Sequence, residues 1–274
     1  MSFQAVDLET GVLLSSVNLT VNGSPAVTAG ILQSGFTGSV TSIPKGWIVS
    51  ATPAVPFVSF STVSVLAESS NNTTPSIQTT SSWSFQCADV EAPIITVGSP
   101  AAGATGVSAS TSITFSLDDD VGIDTASINV SINDVSAIIA GVFQPGFSGT
   151  ITPSGTTTLV SITPTSPFAS FETVTVEVSA QDTSGNPSTL SWSFQCADTV
   201  APALDQPLPA DGTVDVPHNS AIYFRVLDAQ SGVNTSSIDV FLNSAQVVAG
   251  GVYAPGYFGS IDPIPGGVEV HVHQ

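Results

Sequence analysis

Positive charge is almost missing from this chain. Lys45 and Arg225 are the only basic residues against 21 acidic ones, which leaves a formal net charge of −19 over 274 residues. A surface of that sign repels phosphate backbones and anionic bilayers, so no nucleic acid and no membrane surface is expected among the partners. Charge of either sign is scarce, at 8% of residues, while 42% are hydrophobic, and that balance excludes a highly charged disordered tail. Also missing is any apolar run near the roughly 18 residues that a membrane span requires, so no membrane insertion is expected. The first residues lack the basic and apolar regions of a signal peptide. Helical periodicity is missing throughout.

What is present is repetition. The run SWSFQCADTVAP from Ser191 to Pro202 has a near copy, SWSFQCADVEAP, from Ser82 to Pro93. Two further markers occur three times. One is GVLLSSVNLTVNG from Gly11, GIDTASINVSIND from Gly122 and GVNTSSIDVFLNS from Gly232; the other is GILQSGFTGSV from Gly30, GVFQPGFSGTI from Gly141 and GVYAPGYFGSI from Gly251. The spacing is about 110 residues, the size of one immunoglobulin-like sandwich. The expected units are 1–89, 90–198 and 199–274. Met1 aligns with Ile113 and Gln274 with Pro164, so the outer copies are expected to lack leading and closing strands. Either the array continues or neighbouring copies of the chain supply those strands.

The middle copy shows the strand pattern most fully. Ile113, Phe115 and Leu117 alternate with Thr114 and Ser116, and the same period of two runs through Ile128 to Ile132, Val174 to Val178 and Trp192 to Cys196. Each run has one apolar face. With Val160 and Ile162, a segment near Ile94 and a short strand around Ile138 to Phe143, the count is about seven, which predicts an all-β fold of two packed antiparallel sheets. The glycines of the second marker are expected to shape a turn or bulge beside Phe147. Cys87 and Cys196 occupy equivalent places in successive copies. A disulfide between them would need Cα atoms within about 7 Å, so buried free thiols are expected.

The strand and turn VTVEVSAQDTSGN from Val174 to Asn186, followed by ADTVAP from Ala197 to Pro202, resembles the tandem bacterial immunoglobulin-like repeats of large surface adhesins and phage virion fibre proteins. The resemblance implies a non-enzymatic structural module of an extended fibre or stalk, extracellular, on a cell surface or on a virion surface. Its partners would be neighbouring copies of itself or further repeats of the same array. The alternative is an adhesin-type module that recognises a host receptor or glycan through its loops or through Phe36, Phe147 and Tyr257. In the first copy Ser69 is aligned with Asp182, which breaks the pattern there.

Acidic residues gather where such units would meet. In an immunoglobulin-like topology, the linker entering a unit lies beside two of its loops. Asp118, Asp119, Asp120 and Asp182 are then expected to converge with Asp89 and Glu91 of the first linker. These carboxylates have no basic residue nearby and repel one another unless a cation neutralises them, and hard oxygen ligands suit calcium. The resemblance implies the same cofactor, since adhesin repeats of this type often bind calcium between domains. Solvated acidic turns are the competing reading. Asp198 and Asp228 make a poorer set at the second junction. His271 and His273 point outward from one strand and are read as exposed, without a third metal ligand. No nucleophile, base and orienting group assemble in the complete copy, so no enzyme is expected.

Overall fold

Valine and isoleucine alternating with serine and threonine give strands with one apolar and one hydroxyl-lined face, and two such faces must close on each other to exclude water. The computed structural model describes residues 1–274 and contains this arrangement three times. In the middle unit a four-stranded sheet runs in the order Phe147–Ser154, Thr157–Pro164, Ile113–Asp118, Ile94–Ser99. A five-stranded sheet packs over it in the order Val142–Phe143, Val135–Ile139, Ile123–Ile132, Thr173–Asp182, Pro187–Gln195. All ladders are antiparallel.

Between the two sheets lie 17 buried apolar residues, among them Ile113, Phe115, Ile128, Val176, Trp192, Phe194 and Cys196. Phe115 meets Trp192 edge to face at 6.0 Å, and Phe168 meets Phe194 in the same way. The first and third units have separate clusters of 10 and 7 buried residues, centred on Val49 and Val63 and on Val248 and Val270. In the first unit a three-stranded sheet of Ser2–Val6, Gly46–Pro53 and Phe36–Ile43 faces a five-stranded one. In the third, a four-stranded sheet faces the three short strands Val240–Leu242, Ala245–Ala249 and Val252–Tyr253.

The middle unit has nine strands rather than about seven, and the main difference falls on the glycine-rich marker. Gly141 and Gly146, at φ 74° and 96°, shape turns as expected, Gly146 directly before Phe147, but the marker then continues as the eight-residue strand Phe147–Ser154, which pairs along its whole length with Thr157–Pro164. Gly149, at φ 154°, stands opposite Ile162, where a Cβ would overlap the carbonyl oxygen of Ser161. Gly38 and Gly259 meet the carbonyls of Ser50 and His271 in the same way. The marker therefore records two turns and, at its last glycine, a close backbone approach inside a ladder.

The repeated SWSFQC strands also differ between copies. Trp192, Phe194 and Cys196 are buried, but Phe85 is 36% exposed and Cys87 half-buried. In the middle unit the segment 101–107 lies along the closing strand. Gly103 and Val107 donate backbone hydrogen bonds to the carbonyls of Ser193 and Gln195, and Val107 bridges to Cys196. That segment covers the closing strand of the middle unit, whereas Trp83 is half-buried and Phe85 exposed in the first. Both cysteines are free thiols, and burial pushes the Cys196 thiol above its ordinary value.

Candidate functional site

At the linker end of the middle unit, three of the six acidic residues singled out above come together. Asp119 follows the strand Ile113–Asp118, and its N–H is fixed by the Thr156 carbonyl. Its own Oδ1 accepts from the Val121 N–H at 3.0 Å, a local turn that holds the carboxylate inward. Asp182 ends the strand Thr173–Asp182 and opens a tight turn through Gly185, at φ 93°. It accepts from the Asn186 backbone N–H at 2.8 Å and from the Asn186 side-chain amide at 2.6 Å. Asp89 comes from the linker, where it accepts from the Ser59 hydroxyl at 2.9 Å and from the Glu91 N–H at 3.1 Å. The Asn186 amide also donates to Asp89, at 3.1 Å, and so joins linker to loop.

Carboxylate oxygens of Asp89, Asp119 and Asp182 lie within 4.8 Å of one another. Asp119 and Asp182 are 7% and 1% exposed, an unusual degree of burial for carboxylates with no cationic partner. Burial, reinforced by the charges of Asp182, Asp89 and Asp120, pushes the Asp119 carboxyl above its ordinary range. Burial acts in the same direction on Asp89, but the N–H of Glu91 and the hydroxyl of Ser59 outweigh it and hold that carboxyl low. Glu91, Asp118 and Asp120 do not join the cluster. They are exposed around a shallow depression beside it, with Asp118 accepting from the Thr157 hydroxyl at 2.8 Å. Convergence is thus limited to three carboxylates, because Asp118 and Asp120 flank Asp119 in the chain and their side chains stay in solvent.

The second junction repeats part of this frame. Asp198 accepts from the Ser170 hydroxyl at 3.1 Å and the Val200 N–H at 2.8 Å, as Asp89 does from Ser59 and Glu91. Hydrogen bonds led by the Ser231 hydroxyl hold its carboxyl low, and its Oδ2 is buried with no partner. Asp228 is buried and accepts from the N–H groups of Gln230 and Ser231. Ser170 also contacts the Gln230 side chain at 2.9 Å, which links the middle unit to the third.

In the first unit the residue equivalent to Asp182 is Asn71, not Ser69. Asn71 bridges Val12 as Asp182 pairs with Ile123. Its Oδ1 accepts from Ile77, six residues on, where Asp182 accepts from a residue four on. The longer turn misleads an ungapped alignment. Phe36, Phe147 and Tyr257 are half-buried supports of their cores rather than exposed side chains. His218 is exposed on a loop. His271 and His273 are half-buried, one 4.9 Å from the ring of Tyr223 and the other stacked on Phe258 at 5.2 Å.

Strand order, sheet packing and repeat define a tandem immunoglobulin-like β-sandwich protein. Residues 89–196 match the family model of the bacterial Ig-like domain. No curated protein matches the chain. Among solved structures, the extracellular cadherin domains 1-5 of protocadherin gamma B2 are similar at 14% identity and a TM-score of 0.45, over 100% of this chain and 49% of that one. Dimeric latent PorU from Porphyromonas gingivalis is similar at 14% identity and a TM-score of 0.32, over 82% and 22% of the two chains. The fibronectin(III)-like modules of CbhA from Clostridium thermocellum give 10% identity and a TM-score of 0.25, over 72% and 86%. No helix of the chain is long and apolar enough to cross a membrane.

Proposed function

We propose that this chain is a non-catalytic spacer in an extended extracellular or virion surface fibre, and that calcium stiffens its junctions. The observation that carries this reading is the paired clamp at the linkers. Ser59 holds Asp89 while Asn186 of the next unit holds it from the other side, and Ser170 holds Asp198 while contacting Gln230 of the next unit. Each linker is thereby tied to both of its neighbours, an arrangement suited to fixing an angle between units. Near absence of Lys and Arg leaves trypsin-like proteases few cleavage points, which favours an exposed location.

The donor set at the first junction fits a hard divalent cation. Asp89, Asp119 and Asp182 would hold it through carboxylate oxygens, with water completing the shell. Rotation of the Asn186 amide would add a neutral oxygen, since its nitrogen and oxygen are close in shape. The ion would neutralise charge that is otherwise buried without compensation. Asp198 and Asp228 offer a smaller set at the second junction, with weaker binding.

Removing residues 90–198 tests the spacer role, because it joins Asp89 to Thr199 and leaves Ser59 in the place of Ser170. Sedimentation velocity should show an elongated intact chain and a shorter variant that stays folded. An intact chain with the frictional ratio of a compact particle would overturn the reading.

A further inference from the structure

The outer face of the sheet that is four-stranded in the middle and third units and three-stranded in the first differs sharply between units. In the middle unit its outward-facing positions hold Thr114, Ser116, Ser148, Thr150, Leu159, Ser161 and Thr163, with the single charge of Asp118 at one strand end, and the first unit places Ser2, Gln4, Ser39, Ile48 and Ser50 there. The third unit places Tyr223, Arg225, Phe258, Glu269, His271 and His273 at the matching register. The chain's only arginine and two of its three histidines are therefore concentrated on one flat face. Two units of the same fold do without such side chains, so folding does not require them.

We propose that this face binds a neutral oligosaccharide. Arg225 Nε donates to the Tyr223 hydroxyl at 2.8 Å and to Glu269 Oε1 at 2.9 Å, and the Tyr223 hydroxyl donates to Glu269 Oε1 at 2.8 Å. This network fixes both planar groups yet leaves Arg225 Nη1 and Glu269 Oε2 without a hydrogen-bond partner, Oε2 having only His271 Nε2 at 4.0 Å. A guanidinium donor beside a carboxylate acceptor, both partly open to solvent, matches the vicinal hydroxyls of a sugar. Beside them, Phe258 is 63% exposed and stacks on His273 with an interplanar angle of 11°, a flat apolar platform for the C–H face of a pyranose.

Charge selects against other ligands. The single guanidinium stands among the carboxylates of Glu269, Asp262 and Asp205, its cross-strand neighbour, so polyanions such as nucleic acid or acidic glycans are repelled. A purely apolar partner would have to desolvate the Arg225 and Glu269 pair.

The face of the middle unit supplies the control. Replacing Tyr223→Thr, Arg225→Ser, Phe258→Ser, Glu269→Leu, His271→Ser and His273→Thr copies residues that the same backbone already carries. Titration calorimetry of the full chain with hexasaccharides of neutral glucan, mannan, xylan and N-acetylglucosamine, and with acidic oligogalacturonate, decides the matter. At least one neutral ligand should bind, the acidic one should not, and the replacement should lower affinity at least about ten-fold with an unchanged melting temperature. A second variant, Phe258→Ser with His273→Thr, should lose most of the affinity on its own while the Arg225 and Glu269 pair stays in place. Absence of neutral-sugar binding, preferential binding of the acidic ligand, or binding that survives the six replacements would overturn the proposal. The rod length measured by sedimentation is independent of all these outcomes.

Discussion

Asp119 is the residue on which the junction chemistry turns, because it is buried, negatively charged and surrounded by charges of its own sign. Its folded-state carboxyl is raised above the ordinary value of 3.8. Its contribution to stability is therefore complete below that value and is lost as pH rises through the raised one, so the ion-free protein bears the burden at neutral pH. Asn at this position keeps an acceptor for the Val121 N–H and removes the charge. Asp119→Asn should accordingly stabilise the chelator-treated protein at pH 7, by on the order of 1 kcal/mol, and abolish the stabilisation that calcium gives to the parent. The difference between parent and variant in chelator should shrink as pH falls toward 4. A variant less stable than the parent in chelator at pH 7, measured by thermal melting, would contradict this account of the charge.

At the scale of the element, the strand Phe147–Ser154 depends on a glycine that sequence pattern alone does not explain. Gly149→Ala drives a methyl into the Ser161 carbonyl and should cost about 1–3 kcal/mol, whereas Ser148→Ala next to it, on the exposed face, should change the melting temperature little. Equal melting of the two variants would show that the ladder tolerates the added atom. Period-two alternation made Ile113 to Leu117, Val174 to Val178 and Trp192 to Cys196 legible, since one face of each strand must be apolar. The marker beside Phe147 was legible at its turn glycines Gly141 and Gly146 but not at Gly149, since glycines also serve close backbone approach and only pairing with Thr157–Pro164 reveals that role. Asp89, Asp119 and Asp182 were legible from topology and charge. Asn71 was hidden by a longer turn, and the aromatic face of the third unit by its dependence on cross-strand register among three separate stretches of chain.

For the whole molecule, three separate cores joined by clamped linkers make the junctions the places where shape is decided. Net charge of −19 favours separation of the units at low ionic strength, and the carboxylates at the first junction add local repulsion to that general effect. A bound cation reverses the local term and binds only the folded arrangement, so it should raise melting temperature by mass action. The most direct measurement is small-angle scattering of the full chain, with melting curves, in calcium and in chelator. With calcium, the tied junction should sample fewer angles, so the distribution of interatomic distances should change and narrow, and the melting temperature should rise. Superimposable scattering and melting curves at calcium concentrations of about 1 mM, the weak end of the range for extracellular calcium modules, would contradict the calcium-stiffened fibre.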